Sequence, residues 1–151
     1  MTPARSLPTR RLVALAAFLL ASAMTAQAQS IDDLQDAAVQ ANRANQVPRA
    51  IELTMQQLQA TEQQFGSSSL ESALVVDRLA WYERQDGRYE ASARSYEREI
   101  EILQRLPDQG GDEYVNALVK VGMLHLDSGH PERAELPLRR ALDWGDRKSV
   151  V

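Results

Sequence analysis

Residues 79–99 read LAWYERQDGRYEASARSYERE: an apolar-periodic run, a break at Asp86-Gly87, and a second periodic run. That is the form of a helical hairpin, and the chain writes it three times. Laid over itself at a shift of 42, the sequence brings Asn45, Gly87 and Gly129 into one column and Ala38, Ala80 and Gly122 into another. Further columns hold Leu34, Val76 and Leu118; Ala37, Leu79 and Val121; Leu58, Ile100 and Leu142; and, less strictly, Ala50, Ser92 and Ala134. Within a unit the first of these positions are spaced i, i+3, i+4, which is the buried face of a helix. The small residue at the last position lets a second helix approach closely. Glycine or asparagine at the break supplies the positive φ that a tight turn needs.

The punctuation agrees. Pro48 and Pro131 fall in the first turn of the second helix of a unit, where a missing N–H costs nothing. Ser68 with Glu71 fits a capping box before the third helix, and Asp112 suits the cap of the fifth. "FGSSS" and "PDQGGD" are the loops between units. The expected helices are 31–44, 47–64, 69–85, 88–106, 113–128 and 131–144, grouped in units of about 31–66, 69–108 and 112–145, with no strand-like alternation. A period of this length means stacked hairpins, each unable to bury its apolar face without a neighbour.

The columns resemble the tetratricopeptide repeat (TPR), in the longer variety found in kinesin light chains, with its pattern A-L-x-x-L-A-x-L-Y-x-x-x-G-x-Y-x-x-A. Unit two matches through Leu79, Ala80, Gly87 and Tyr89. Unit three matches through Ala117, Leu118, Val121, Gly122, Leu124, Gly129, Ala134, Ala141 and Leu142. Unit one keeps Leu34, Ala38 and Ala50 but has Asn45 for the glycine. The paired asparagines usual in the first helix of such repeats are replaced by Gln35 and Asp36, Asp77 and Arg78, and Val119 and Lys120, so whatever those asparagines do is not carried over. The resemblance implies an all-α, right-handed superhelical solenoid of about three repeats. It also implies a concave groove, lined by the first helix of each unit, that holds an extended peptide or a partner protein. Counted from the turn column, the groove positions are Gln35, Val39, Asn42 and Arg43; Asp77, Trp81, Arg84 and Gln85; and Asn116, Val119, Met123 and Asp127. Trp81 and Met123 are the expected apolar anchors, with Arg43 and Arg84 placed to fork onto a carboxylate. The alternative for Trp81 is packing inside the stack.

The first 28 residues stand apart. Arg5, Arg10 and Arg11 precede an apolar run from Leu12 to Met24 and a small-residue site ending in Ala26-Gln27-Ala28. This is the pattern of a secretory signal peptide cleaved after Ala28, and the run is shorter than the roughly 20 residues of a spanning helix. Of 151 residues, 123 remain, enough for one domain. Losing three arginines from 17 basic residues leaves 14 against 21 acidic ones, a net charge of −7. That argues against nucleic acid, whose partners present a basic surface. The chain has no cysteine, hence no disulfide staple and no acceptor for a lipoprotein anchor. A periplasmic or secreted product, not inserted in the membrane after cleavage, is expected.

Catalytic chemistry is hard to find in this sequence. His125 and His130 lie five apart, about 140° around a helix, and do not share a face as i, i+4 ligands do. Acids interleaved with Arg84, Arg88, Arg94 and Arg98 read as a solvated helix face. Tyr82, Tyr89 and Tyr96 step by seven, one helix face, and core packing is expected of Tyr89 and Tyr96. There is no nucleophile elbow, phosphate loop or HExxH. A binding scaffold without cofactor, metal or catalysis of its own is the leading expectation. The alternatives are the recognition arm of a longer enzyme, such as a peptidase-like fusion, and a structural part of an envelope assembly.

After Trp144 the repeat grammar stops at "GDRKSVV", without the polar capping helix that usually covers the last face of a solenoid. "DRKSVV" followed by a stop is also the translation of GATCGGAAGAGCGTCGTGTAG, the start of a widely used sequencing adapter. Residues 146–151 are therefore expected to be non-native, and the uncovered end face is expected to favour self-association.

Overall fold

A computed structural model describes residues 30–106 and 111–149 of the chain, with side chains through Trp144. The leader, its cleavage at Ala28 and the side chains of the expected tail lie outside the described residues. Six helices follow one another: α1 (Ile31–Arg43), α2 (Val47–Phe65), α3 (Leu70–Gln85), α4 (Tyr89–Gln104), α5 (Gly111–Asp127) and α6 (Pro131–Ser149). Among the described residues there is no strand. Each helix packs chiefly on its neighbours in the chain, so the molecule is a stack of three hairpins, α1–α2, α3–α4 and α5–α6.

The three hairpin turns are the same turn. Asn45, Gly87 and Gly129 have φ of 58°, 75° and 80°. The residue after each donates its N–H five positions back: Gln46 to Ala41 (2.9 Å), Arg88 to Glu83 (2.8 Å) and His130 to His125 (2.8 Å). The left-handed residue itself donates three back, to Asn42, Arg84 and Leu126. This pair of bonds is the Schellman motif, which satisfies carbonyls that the helix end would leave bare. The next helix then starts at once, so the hairpin is tight and its two arms are antiparallel.

The small-residue columns lie where those arms touch. Ala38, Ala80, Ala50 and Ser92 are fully buried and Ala134 nearly so. At Gly122 a Cβ would stand 2.6 Å from both Cγ and Cδ2 of Leu138 on α6. The apolar column of Leu34, Val76 and Leu118 forms the core between units, joined by Tyr82, Tyr96, Ile102 and Leu103. Buried polar groups are mostly bonded within it: Ser92 Oγ donates to the Ala80 carbonyl (2.7 Å) and Thr54 Oγ1 to that of Ala50 (2.8 Å).

Several local expectations need correction. The cap of α3 is Ser69, not Ser68: its Oγ accepts from the N–H of Ser72 (3.1 Å) and donates to the Gly66 carbonyl (2.9 Å). Gly66, at φ 90°, turns the chain so that the later serine reaches the open N–H groups. Asp112 lies inside α5, which begins at Gly111. A full capping box stands instead at the start of the array, between Ser30 and Asp33. Tyr89 is exposed, because as the first residue of α4 it sits at the rim of the turn. Leu142 is 70 % exposed although Leu58 and Ile100, its column mates, are each 7 % exposed. Those two are covered by the first helix of the following unit, whereas α6 is the last described helix. α6 itself continues to Ser149, past its expected end at residue 144.

Candidate functional site

The face made by the first helices carries a row of apolar side chains at one repeat position. Trp81 of α3 and Met123 of α5 are each 45 % exposed, and Val39 of α1 is half-buried. Val119 and Leu126 widen the row on α5 and Leu74 extends it on α3. Trp81 is exposed rather than packed inside the stack; its ring leans on that of buried Tyr82 at a centroid distance of 5.1 Å.

The polar residues around this row are largely engaged with one another. Asp77 of α3 pairs with Lys120 of α5, and Arg84 of α3 with Asp127 of α5. Arg84 is thus held by the next unit's carboxylate, whereas the sequence suggested it as a fork for a ligand. On the second helices Glu90 of α4 pairs with Arg133 of α6 (3.3 Å). All three pairs join residues 43 apart, one more than the repeat, so the charges meet diagonally across the junction between units two and three.

The junction between units one and two uses a different bridge. Gln57 of α2 is buried, donates through Nε2 to Gln35 Oε1 of α1 (3.2 Å) and accepts through Oε1 from Arg78 of α3 (2.9 Å). One repeat on, Glu99 takes the place of Gln57, Asp77 that of Gln35 and Lys120 that of Arg78. Glu99 is 3 % exposed and its Oε2 has no hydrogen-bond partner. Burial first, then the nearby Asp77 carboxylate, lifts its carboxyl to about 8, against the pull of Lys120 and with a further push from Glu113. Tyr96, beneath Lys120 (6.0 Å from ring centroid to Nζ), is pushed up by the same burial and by Asp77 and Glu99.

The remaining groove residues divide. Gln35 and Asp77 are half-buried in the bridges just described, and Asn42 is half-buried on α1. Arg43, Gln85 and Asn116 are exposed with no side-chain bond among the described residues. Arg43 and Gln85 stand near the turn ends of their helices, at one end of the face, and Asn116 stands in the second turn of α5. Among the described residues no three His, Asp or Glu side chains converge as a metal site would require, and no helix is long and apolar enough to cross a membrane. The 43-residue offset of the ion pairs was present in the sequence as opposite charges one step off the repeat, but a search for conserved columns passes over it.

No protein-family model matches the sequence, and a search of curated proteins returns no match. Solved structures do match. The crystal structure of BtubC (BKLC) from P. vanneervenii superposes with a TM-score of 0.74 at 17 % identity, over 89 % of this chain and 55 % of that one. This chain therefore spans little more than half the length of that relative. At this identity the likeness concerns the fold, and it agrees with the reading of the columns: the chain folds as TPR-like helical hairpins.

Proposed function

We propose that the protein is a periplasmic or secreted scaffold whose first-helix face, drawn into a concave groove by a right-handed superhelical twist, binds a peptide or a partner protein. In this reading it has no catalysis of its own and needs no cofactor. The observation that carries it is the row of Val39, Trp81 and Met123, one repeat position in three successive first helices. A monomer gains nothing from leaving an indole and a thioether half in water, and large aromatic anchors beside polar rims are what binding faces present. Exposed Arg43, Gln85 and Asn116 flank the row and are free to bond a peptide backbone or side chain.

The test is selection of peptides from a displayed random library on the purified protein, followed by titration monitored through tryptophan fluorescence and, for both proteins, by calorimetry. Selected peptides should shift an emission component that Trp81→Ala lacks, and bind at least about tenfold more weakly to that variant, the size of one anchor. Equal binding to that variant would place the ligand elsewhere and end this reading. Export is tested separately: a mature chain whose N-terminal sequence begins at Gln29 supports it, and an intact Met1 in the cytoplasmic fraction contradicts it.

A further inference from the structure

The groove between successive second helices is bridged at the first junction and open at the second. Between α2 and α4, Glu62 pairs with Arg98; within the second hairpin Ser95 of α4 donates to Glu83 of α3 (2.7 Å), and Ile51 of α2 is buried. One repeat later all of those positions but one, the arginine, have changed. Ala93 stands where Ile51 stood, removing three methyl or methylene groups. Gln104 and Arg140 replace the Glu62–Arg98 pair and both turn to the Tyr114 hydroxyl instead (3.1 and 2.6 Å). His125 and Pro137 replace the Glu83–Ser95 bond, and proline has nothing to offer an imidazole.

The result is a cleft of about 710 Å³ between α4 and α6, a volume within the range that binding pockets occupy. Its floor is Leu118, Val121 and His125 of α5, and Ile100 and Leu136 line its walls. His125 is 9 % exposed and its ring has no hydrogen-bond partner among the described residues. The ring nitrogens are not sealed from solvent, so a polar group entering the cleft can take the place of water there. The lips are unequal in charge: Glu97, Glu101 and Glu132 have no ion-pair partner among the described residues, against two cations without one, Arg94 and Arg140, the latter already donating to the Tyr114 hydroxyl.

We infer that this cleft is a second docking site, on a different face of the molecule from the Trp81 row, for an amphipathic basic segment of a partner protein. A leucine-sized side chain enters over Val121 and Leu118 and a backbone or side-chain polar group meets His125. Lysine or arginine residues at neighbouring positions pair with Glu97 and Glu101. The occupant's sign follows from the excess of free carboxylates on the lips, and its apolar anchor from the floor. The site does not depend on the first-helix face being a groove.

The probe is an 18-residue helical peptide of leucine and lysine, with leucine at i, i+4 and i+7 of each pair of turns, titrated into the isotope-labelled full chain. Nuclear magnetic resonance should show shifts at the His125 ring and at amides of α4 and α6. Affinity should fall at least about tenfold in Glu97→Lys and in Glu101→Lys, and be unchanged in Asp36→Lys, an equal change of charge on α1. Ala93→Ile refills the cleft as the first junction is filled, without altering charge, and should weaken binding by a similar factor. Wild-type affinity in Ala93→Ile, equal losses in all three charge variants, shifts confined to the first helices, or no binding at all would each overturn the proposal.

Discussion

Gln57 and Glu99 occupy the same position in successive hairpins, yet the first has both ends of its amide bonded and the second buries a carboxylate oxygen with no partner. The chain has put an ionisable carboxyl where its own preceding unit shows that a neutral amide suffices. Because the carboxyl is lifted from 4.5 to about 8 by burial and by Asp77, the folded state holds a proton that the unfolded state has released. The stabilising contribution of that proton is complete below about 4.5 and is lost as the pH rises through about 8. Urea denaturation at stepped pH should therefore show stability declining across this window. Glu99→Gln should flatten the decline and raise stability at pH 9 by about 1–3 kcal/mol, the penalty of an unsatisfied buried group. An unchanged pH profile in that variant would mean that Glu99 is solvated.

Gly122 and Leu138 meet closely where the arms of the third hairpin cross. Gly122→Leu should cost about 1–3 kcal/mol by overpacking. Gly122→Ala should sit near neutral, because the helix gains about 1 kcal/mol over glycine while half-buried Leu138 rotates away. Thermal melts followed by circular dichroism separate the two, and a wild-type melt for Gly122→Leu would contradict the hairpin register.

The left-handed turn residues predict an ordered pair of effects. Gly87→Ala forces a Cβ into φ 75° and should cost about 1–2 kcal/mol. Asn45→Gly, in the one turn where asparagine already holds φ 58°, should be neutral or stabilise by less than about 1 kcal/mol. Denaturant midpoints at unchanged m-value would measure both.

The diagonal ion pairs are half-exposed, and each should be worth only about 0.2–1 kcal/mol in a double-mutant cycle. The exchange of charges in Asp77→Lys with Lys120→Asp should recover most of what either single change loses. Both the loss and the recovery should shrink in 1 M salt, where screening is nearly complete; salt-independent coupling would exclude an electrostatic origin.

At the far end, Leu142 should promote pairing of two copies, since its column mates are covered and it is not. Light scattering across a concentration series should show a mass rising toward the dimer, and Leu142→Glu should hold it at the monomer. A concentration-independent mass in the unaltered protein would dispose of this expectation.

The hairpins were legible because identity at a fixed shift reports directly on turns and crossings: Asn45, Gly87 and Gly129 have positive φ, and Ala38, Ala80 and Gly122 sit at closest approach. The caps were less so. Ser68 and Ser69 are chemically alike, and only the turn at Gly66 decides between them. Trp81 and Met123 could be placed on the exposed face from the turn column, but Arg84 could not be seen as occupied, since its partner Asp127 lies one step off the repeat. The cleft between α4 and α6 was invisible for the opposite reason. It arises where the units differ, at Ala93, His125 and Pro137, and a comparison that looks for sameness discards those positions.

The one-step offset of the ion pairs also gives the array an order. Were unit two duplicated behind itself, Asp77 would still meet an arginine, the copy of Arg78. Arg84 would face glutamine and Glu90 would face alanine, the copies of Gln85 and Ala91. Two of three contacts would be lost, so the hairpins are not interchangeable tiles. In a chain of look-alike modules, where misassembly is a standing hazard of folding, such signatures let each hairpin tell its proper neighbour from its twin.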